Sequence, residues 1–197
     1  MTVLGVLLAA GAGRRMGTPK VLLRDEAGIP CVARAIGALL EGGCDSVVVV
    51  TGASAYEATG LLDETGWSDD PAVEVVVAED WDEGMGASLR AGLSAAVGTS
   101  ASCALVSLVD LHDVGSDVVE RVLGQALCDE TTLARASYDG QPGHPVLLGR
   151  HHWAGVIGSA HGDKGARDYL ATNRPVPVEC GDLATGRDMD SPEDLRG

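Results

Sequence analysis

Three cations and three glycines share one short stretch of this chain. Gly11, Gly13 and Gly17 punctuate it, and Arg14, Arg15 and Lys20 fall within seven residues. Glycine has no Cβ, so backbone N–H groups in such a loop can turn inward and hold an anion. Arginine and lysine at the same place add the charge that phosphate oxygens attract. The stretch follows the apolar run Val3–Ala9, which reads as a strand covered on both faces. A buried strand that opens into a cationic glycine loop predicts a phosphate cradle. Farther along, the apolar run Ala104–Val109 ends in Asp110. A carboxylate there would emerge at the carboxyl edge of the same sheet, and Mg²⁺ takes carboxylate, water and phosphate oxygens.

The commoner glycine loops fit poorly. No Gly-Lys-Ser/Thr closes this one, so it is not a Walker A loop. Gly11 and Gly13 match a dinucleotide fingerprint, but Gly17 comes one position late. The second apolar run, Ser46–Thr51, ends in Thr51-Gly52 without the acid that would meet a ribose. A tight strand-to-helix turn would explain the glycines but not the cations.

These residues need a scaffold, and the pattern supplies one. Strands are expected at Val3–Ala9, Ser46–Thr51, Val73–Ala78 and Cys103–Val109. Helices are expected over Cys31–Leu40, Ala55–Asp63 with Ser54 as cap, Gly84 to Ala96, and from a Ser116 cap to Leu127. Strands alternating with helices predict an α/β fold, a three-layer α/β/α domain with a Rossmann-like, mostly parallel sheet. Ligands of such sheets bind at the carboxyl ends of the strands. Later strands are expected at Thr131–Ser137, Pro145–Leu148 and Pro175–Glu179. Helices are expected at His151–Ser159, Lys164–Leu170 and from Ser191. The part after Gly140 breaks the alternation and is expected to add an antiparallel strand and a lid. One domain is expected across residues 1–197.

Composition narrows the partners. The 197 residues carry a formal net charge of −15, which argues against a nucleic-acid surface. It also makes the local cations more informative. Aromatic residues are 3% and Phe is absent, so Val, Leu, Ile and Ala must fill the core. The five cysteines are scattered without metal-ligand spacing, and read as small buried apolar side chains. No run is long enough to span a bilayer. The absence of a basic leader points to a cytoplasmic protein.

The run Leu8-Ala9-Ala10-Gly11-x-Gly13-x-Arg15-Met16-Gly17-x-x-Lys20 resembles the signature of the MobA-like nucleotidyltransferases, most closely the molybdenum cofactor cytidylyltransferase branch. The resemblance spans nearly the whole chain. It takes in Gly84-Met85-Gly86-Ala87-Ser88-Leu89-Arg90, Val109-Asp110, Gly143-His144-Pro145, Gly162-Asp163-Lys164-Gly165-Ala166-Arg167 and Asp188-Met189-Asp190-Ser191. It implies the fold of the nucleotide-diphospho-sugar transferases. It also implies an Mg²⁺-dependent transfer of a nucleotide from a triphosphate to a phosphorylated acceptor, with release of pyrophosphate.

What the resemblance implies for residues is specific. Gly11, Gly13, Arg14 and Gly17 would wrap the triphosphate, with Arg15 and Lys20 on its oxygens. Leu8, Ala9 and Ala10 would meet the base. Cytidylyl members tend to carry Ala-Ala-Gly here and guanylyl members Ala-Gly-Gly, so Ala10 favours CTP, with GTP as the second choice. Gly86 and Ser88 would approach the nucleotide from a helix start, which could also be an ordinary first turn. Asp110 and Asp188 would hold the metal, with Asp190 as the substitute. Asp188 and Asp190 could equally be N-terminal charge for a helix at Ser191. His112, His144, Lys164 and Arg167 would face the acceptor, molybdopterin or its molybdenum-bearing form, and a molybdenum hydroxylase would be the client. His112 stands where the family usually has proline, so it is either an acceptor contact or an idle loop residue. His151-His152 reads as surface. Two rivals remain: an NAD(P)-dependent oxidoreductase of the nicotine-blue-reductase type, and a non-catalytic module that holds the molybdenum cofactor. Transfer to a sugar or alcohol phosphate is a third.

Overall fold

The computed structural model describes residues 2–14, 16–126 and 128–189. Arg15, Asp190 and the helix expected from Ser191 lie outside the described residues. In chain order the elements are β1 (Val3–Leu8), α1 (Cys31–Glu41), β2 (Ser46–Thr51), α2 (Ala55–Thr65), β3 (Val73–Val77), α3 (Met85–Val97) and β4 (Cys103–Leu108). Then come α4 (Ser116–Gln125), β5 (Leu133–Tyr138), β6 (Gln141–Gly149), α5 (Arg150–Ser159), α6 (Arg167–Asn173) and β7 (Val176–Glu179). Single turns of 3₁₀ helix sit at Lys20–Leu22, Trp67–Asp69, Trp81–Glu83 and Gly162–Lys164.

The strands form one sheet in the order β3-β2-β1-β4-β6-β5-β7. It is mostly parallel; β6 runs antiparallel to both β4 and β5. Every residue of β1 and β4 is buried, as continuous apolar runs at the centre of a covered sheet require. Consecutive strand residues point to opposite faces, and β1 shows what covers each. A Cβ on Gly5 would meet Leu39 of α1, whereas Val6 packs against Gly92 of α3. α1 contacts α2 and α4, while α3 contacts α5 and α5 contacts α6. The result is the three-layer α/β/α domain that the alternation predicts.

Four departures from the sequence-based expectation have physical causes. β6 begins at Gln141, four residues before Pro145. Asp139 and Gly140 have φ of 51° and 75°, so Asp-Gly makes a two-residue hairpin turn of the type that joins twisted strands. Pro142 is tolerated because the β5–β6 register shifts between Arg135 and Ser137. The helix expected over Lys164–Leu170 is split, because Gly165 has a φ of +53°, outside the helical range. Ser116 is the first residue of α4 and Gly115 takes the cap position; Ser54 holds the cap of α2 without a side-chain hydrogen bond.

Candidate active site

The two chemistry-bearing runs meet because their strands are neighbours. Leu8 at the end of β1 pairs with Leu108 at the end of β4, and Val109 donates its N–H to the Leu8 carbonyl at 3.2 Å. Beyond β1, Ala9 and Ala10 stay buried. The Ala9 N–H is held by Val50 at 2.8 Å, and the Ala10 carbonyl by Ala53 at 3.2 Å. This backbone is therefore held in place.

The glycine loop then doubles back. Gly13 has a φ of +61°, and a Cβ there would run into the Thr18 carbonyl. Only glycine fits such a turn without strain. Doubling back brings Lys20 to the loop's exit, where its Nζ lies 2.6 Å from Asp110 Oδ2. The side chains of Lys20 and Asp110 are 22% and 14% exposed, so the pair is partly withdrawn from water.

A cleft of about 360 Å³ opens over this pair. One wall is Leu8 through Arg14 with Lys20 and Val21, and Leu108, Val109 and Asp110 form its floor. The opposite wall is Trp81, Asp82, Gly84, Met85, Ser88 and Asp163. Trp81 and Asp82 carry no assignment in the sequence, and Asp163 belongs to the Asp163–Arg167 run that the resemblance puts on the acceptor side. The signal that could have found Trp81 and Asp82 is their place between β3 and α3, a connection that sheets of this kind put at the ligand-binding edge. Gly86 and Gly17 do not line the cleft among the described residues. Gly86 instead lets α3 approach the backbone of Ala160 and His161.

Asp188 reaches this edge from the far end of the chain. Leu111 and Asp188 form an antiparallel bridge, and Met189 donates its N–H to the Asp110 carbonyl at 3.0 Å. Thr185 donates its N–H and hydroxyl to Asp113 Oδ2 at 2.5 and 2.6 Å, which ties the same two segments again. Two carboxylates on adjoining segments are a donor set that a hard divalent cation takes, alongside phosphate and water oxygens. Among the described residues no group of three or more His, Cys, Asp or Glu gathers to hold a metal.

The four residues assigned to the acceptor do not converge. His112 lines a second hollow, with Arg34. His144 sits on β6, half-buried, and burial first and the Arg135 charge second push its pKa down to about 4. Lys164 is exposed and paired with Asp168 at 2.9 Å. Arg167 is exposed at the start of α6. The fold gives His152 a packing role, with Nδ1 2.9 Å from the Tyr169 hydroxyl and Nε2 3.0 Å from the Thr131 carbonyl. Four of the five cysteines are buried.

A glycine loop after β1, a carboxylate after β4 and a shared cleft over both suit a domain that handles a phosphorylated ligand. The chain belongs to the MobA-like NTP transferase family, whose domain it matches over residues 5–177. Among its relatives is a nicotine blue oxidoreductase of Paenarthrobacter nicotinovorans, 35% identical, with the match covering 98% of this chain and 94% of that one. Another is a molybdenum cofactor guanylyltransferase of Rhodobacter capsulatus, 27% identical over 80% of this chain and 68% of that one. Rv0371c of Mycobacterium tuberculosis H37Rv, solved as a complex with manganese, superposes with a TM-score of 0.76 at 24% identity, over 100% of this chain and 97% of the other. No helix among the described residues is long and apolar enough to cross a membrane.

Proposed function

We propose that this domain transfers CMP from CTP to the phosphate of molybdopterin or its molybdenum-bearing form, releasing pyrophosphate, in the cytoplasm. The observation that carries the reading is the Lys20–Asp110 pair at the mouth of the glycine loop. A cation and a carboxylate side by side at the cleft support the handling of a triphosphate and its metal there. The guanylyltransferase relative supports the acceptor class. The Ala9-Ala10-Gly11 run supports CTP, with GTP as the alternative nucleotide.

The residues divide the work. Gly11, Gly13, Arg14, Arg15 and Gly17 bind the β- and γ-phosphates through backbone N–H groups and charge. Leu8, Ala9, Ala10 and Ser88 face the base and ribose. Asp110 and Asp188 would hold Mg²⁺, which would supply charge neutralisation at the reacting phosphate. Lys20 leaves Asp110 for the phosphate oxygens and stabilises the charge that builds as pyrophosphate departs. Lys164 and Arg167, exposed on the segment that follows Asp163 of the cleft lining, add positive charge that draws anionic substrates in. Catalysis is positional and electrostatic, and no covalent enzyme intermediate is required. A molybdenum hydroxylase is the client that would receive the dinucleotide product.

A second reading is favoured by one finding, the 35% identity to a nicotine blue oxidoreductase. Against it, β2 ends in Thr51, whose hydroxyl turns to the Val76 carbonyl at 3.4 Å, and no acid follows to hold a ribose. A pyrophosphate-release assay with Mg²⁺, CTP and molybdopterin, run beside an NAD(P)H-binding titration, separates the two. Pyrophosphate release supports transfer. Tight NAD(P)H binding without Mg²⁺–CTP binding supports the reductase.

A further inference from the structure

Arg90, on α3 two residues after Ser88, makes two contacts behind the opposite wall of the cleft. Its Nη1 donates to the Ala160 carbonyl at 2.7 Å, and its Nη2 donates to Glu83 Oε2 at 2.6 Å. Ala160 follows the last residue of α5 and is fully buried. Its carbonyl belongs to a helix end, where carbonyls lack partners within the helix and a cation is favoured. Glu83 ends the turn Trp81–Glu83 just ahead of the α3 N-terminus, where a carboxylate is favoured. The Arg90 side chain is 24% exposed and that of Glu83 54%. The contact with Ala160 is therefore the better shielded of the two.

Each partner leads into a turn that faces the glycine loop. Trp81, Asp82 and Gly84 line the cleft from the first turn and its exit, and Asp163 lines it from the turn Gly162–Lys164. The two turns meet through glycine. A Cβ on Gly84, where φ is +112°, would run into Asp163 and the Gly162 backbone, and one on Gly86 would run into the backbone of Ala160 and His161. Glycine permits this approach but offers no side chain to fix it. The second turn holds itself weakly, because its bond from the Lys164 N–H to the His161 carbonyl is long at 3.4 Å. A guanidinium carries its donors in a rigid fork, and here that fork reaches both turns at once. Charge adds a second effect. Glu79, Asp80, Asp82 and Glu83 stand within five residues, beside a cleft that would take an anion, and Arg90 neutralises the last of them.

We infer that Arg90 is a positioning residue, whose guanidinium clamps the Trp81–Glu83 turn to the segment after α5 and so sets where the opposite wall stands relative to the glycine loop. Arg90 lies outside the cleft lining, and Lys20 and Asp110 sit on the facing side of the cleft. Loss of the clamp therefore weakens nucleotide binding and leaves the chemical step nearly untouched, the pattern of a contact used equally in ground and transition states. This rests on the reading of the cleft as a nucleoside triphosphate site.

Two measurements on the full chain test it. Hydrogen exchange read by mass spectrometry follows the turns without any ligand, and calorimetric titration with Mg²⁺–CTP follows the cleft. Arg90→Met should speed exchange about tenfold or more in both segments, 79–84 and 160–165. Its Mg²⁺–CTP affinity should fall about tenfold, while kcat for pyrophosphate release at saturating CTP stays within about threefold of the parent's. Arg90→Lys keeps the charge without the fork and should recover part of the affinity. Glu83→Ala leaves the Ala160 contact in place, so it should free segment 79–84 alone; it carries the test if Arg90→Met does not fold. Exchange unchanged in both segments of Arg90→Met, or in segment 79–84 of Glu83→Ala, overturns the inference. A lower thermal midpoint with Mg²⁺–CTP affinity unchanged overturns it too, since Arg90 would then stabilise the fold without positioning the cleft. If exchange rises in both turns but the parent binds no nucleoside triphosphate, the clamp stands and the transferase reading fails.

Discussion

Lys20 Nζ lies 2.6 Å from Asp110 Oδ2 across ninety residues of sequence. The contact fastens the exit of the glycine loop to the end of β4. Both side chains are mostly shielded, so breaking the pair costs more than losing an exposed ion pair. The pair closes the loop in the free protein, and under the proposed function it would supply charges to the bound triphosphate.

Ala10 is expected to choose the base. Its backbone is held by Ala53 and its side chain is buried, so substitution changes space rather than flexibility alone. Ala10→Gly should shift preference from CTP toward GTP by about tenfold, measured as the ratio of kcat/KM values. A methyl group's worth of space is worth about 1–3 kcal/mol in such a pocket.

Gly13→Ala should disable nucleotide binding without unfolding the domain. The added Cβ meets the Thr18 carbonyl at a φ of +61°, and such backbone strain costs about 1–3 kcal/mol. The loop is at the surface, so the strain is relieved by opening it. Isothermal titration with Mg²⁺–CTP should show affinity lost at least tenfold, with a thermal midpoint close to the parent's.

His144 makes stability fall in mild acid. Its pKa is about 4 in the folded chain against about 6.5 when unfolded. The unfolded state thus binds the proton first as pH drops. Stability is full above about pH 6.5 and is lost progressively down to about pH 4. The ring is only half-buried, so the loss is about 2 kcal/mol rather than the full shift. Urea unfolding at pH 7 and pH 4.5 measures it, and His144→Gln should remove most of the difference.

Thiol labelling should be slow and selective. Burial is the first cause that pushes Cys44 and Cys103 up to about 12, and it also raises Cys31, Cys128 and Cys180. Only Cys128 is partly exposed. Native protein at pH 7.5 should react at Cys128 alone, and all five should react in denaturant.

The sequence carried much of this. Periodicity located β1, β2 and β4 because continuous apolar runs have one good home, the middle of a covered sheet. The loop cations and Asp110 stood out because cations are scarce and because a carboxylate closes an apolar run. What stayed hidden depended on long-range closure. The Asp139-Gly140 turn was legible locally but was masked by Pro142 and Pro145, which argue against a strand unless a register shift excuses them. Asp82 and Asp163 are ordinary acids in sequence and face the cleft only because Trp81–Glu83 and Gly162–Lys164 each form a tight turn beside Gly84.

The most direct test measures pyrophosphate released from CTP with Mg²⁺ and molybdopterin by the parent chain, Lys20→Ala and Asp110→Ala. The parent should turn over, and each variant should lose about 100-fold or more in kcat, the scale expected when a charge aimed at the transition state is removed. Full turnover in both variants would contradict the account.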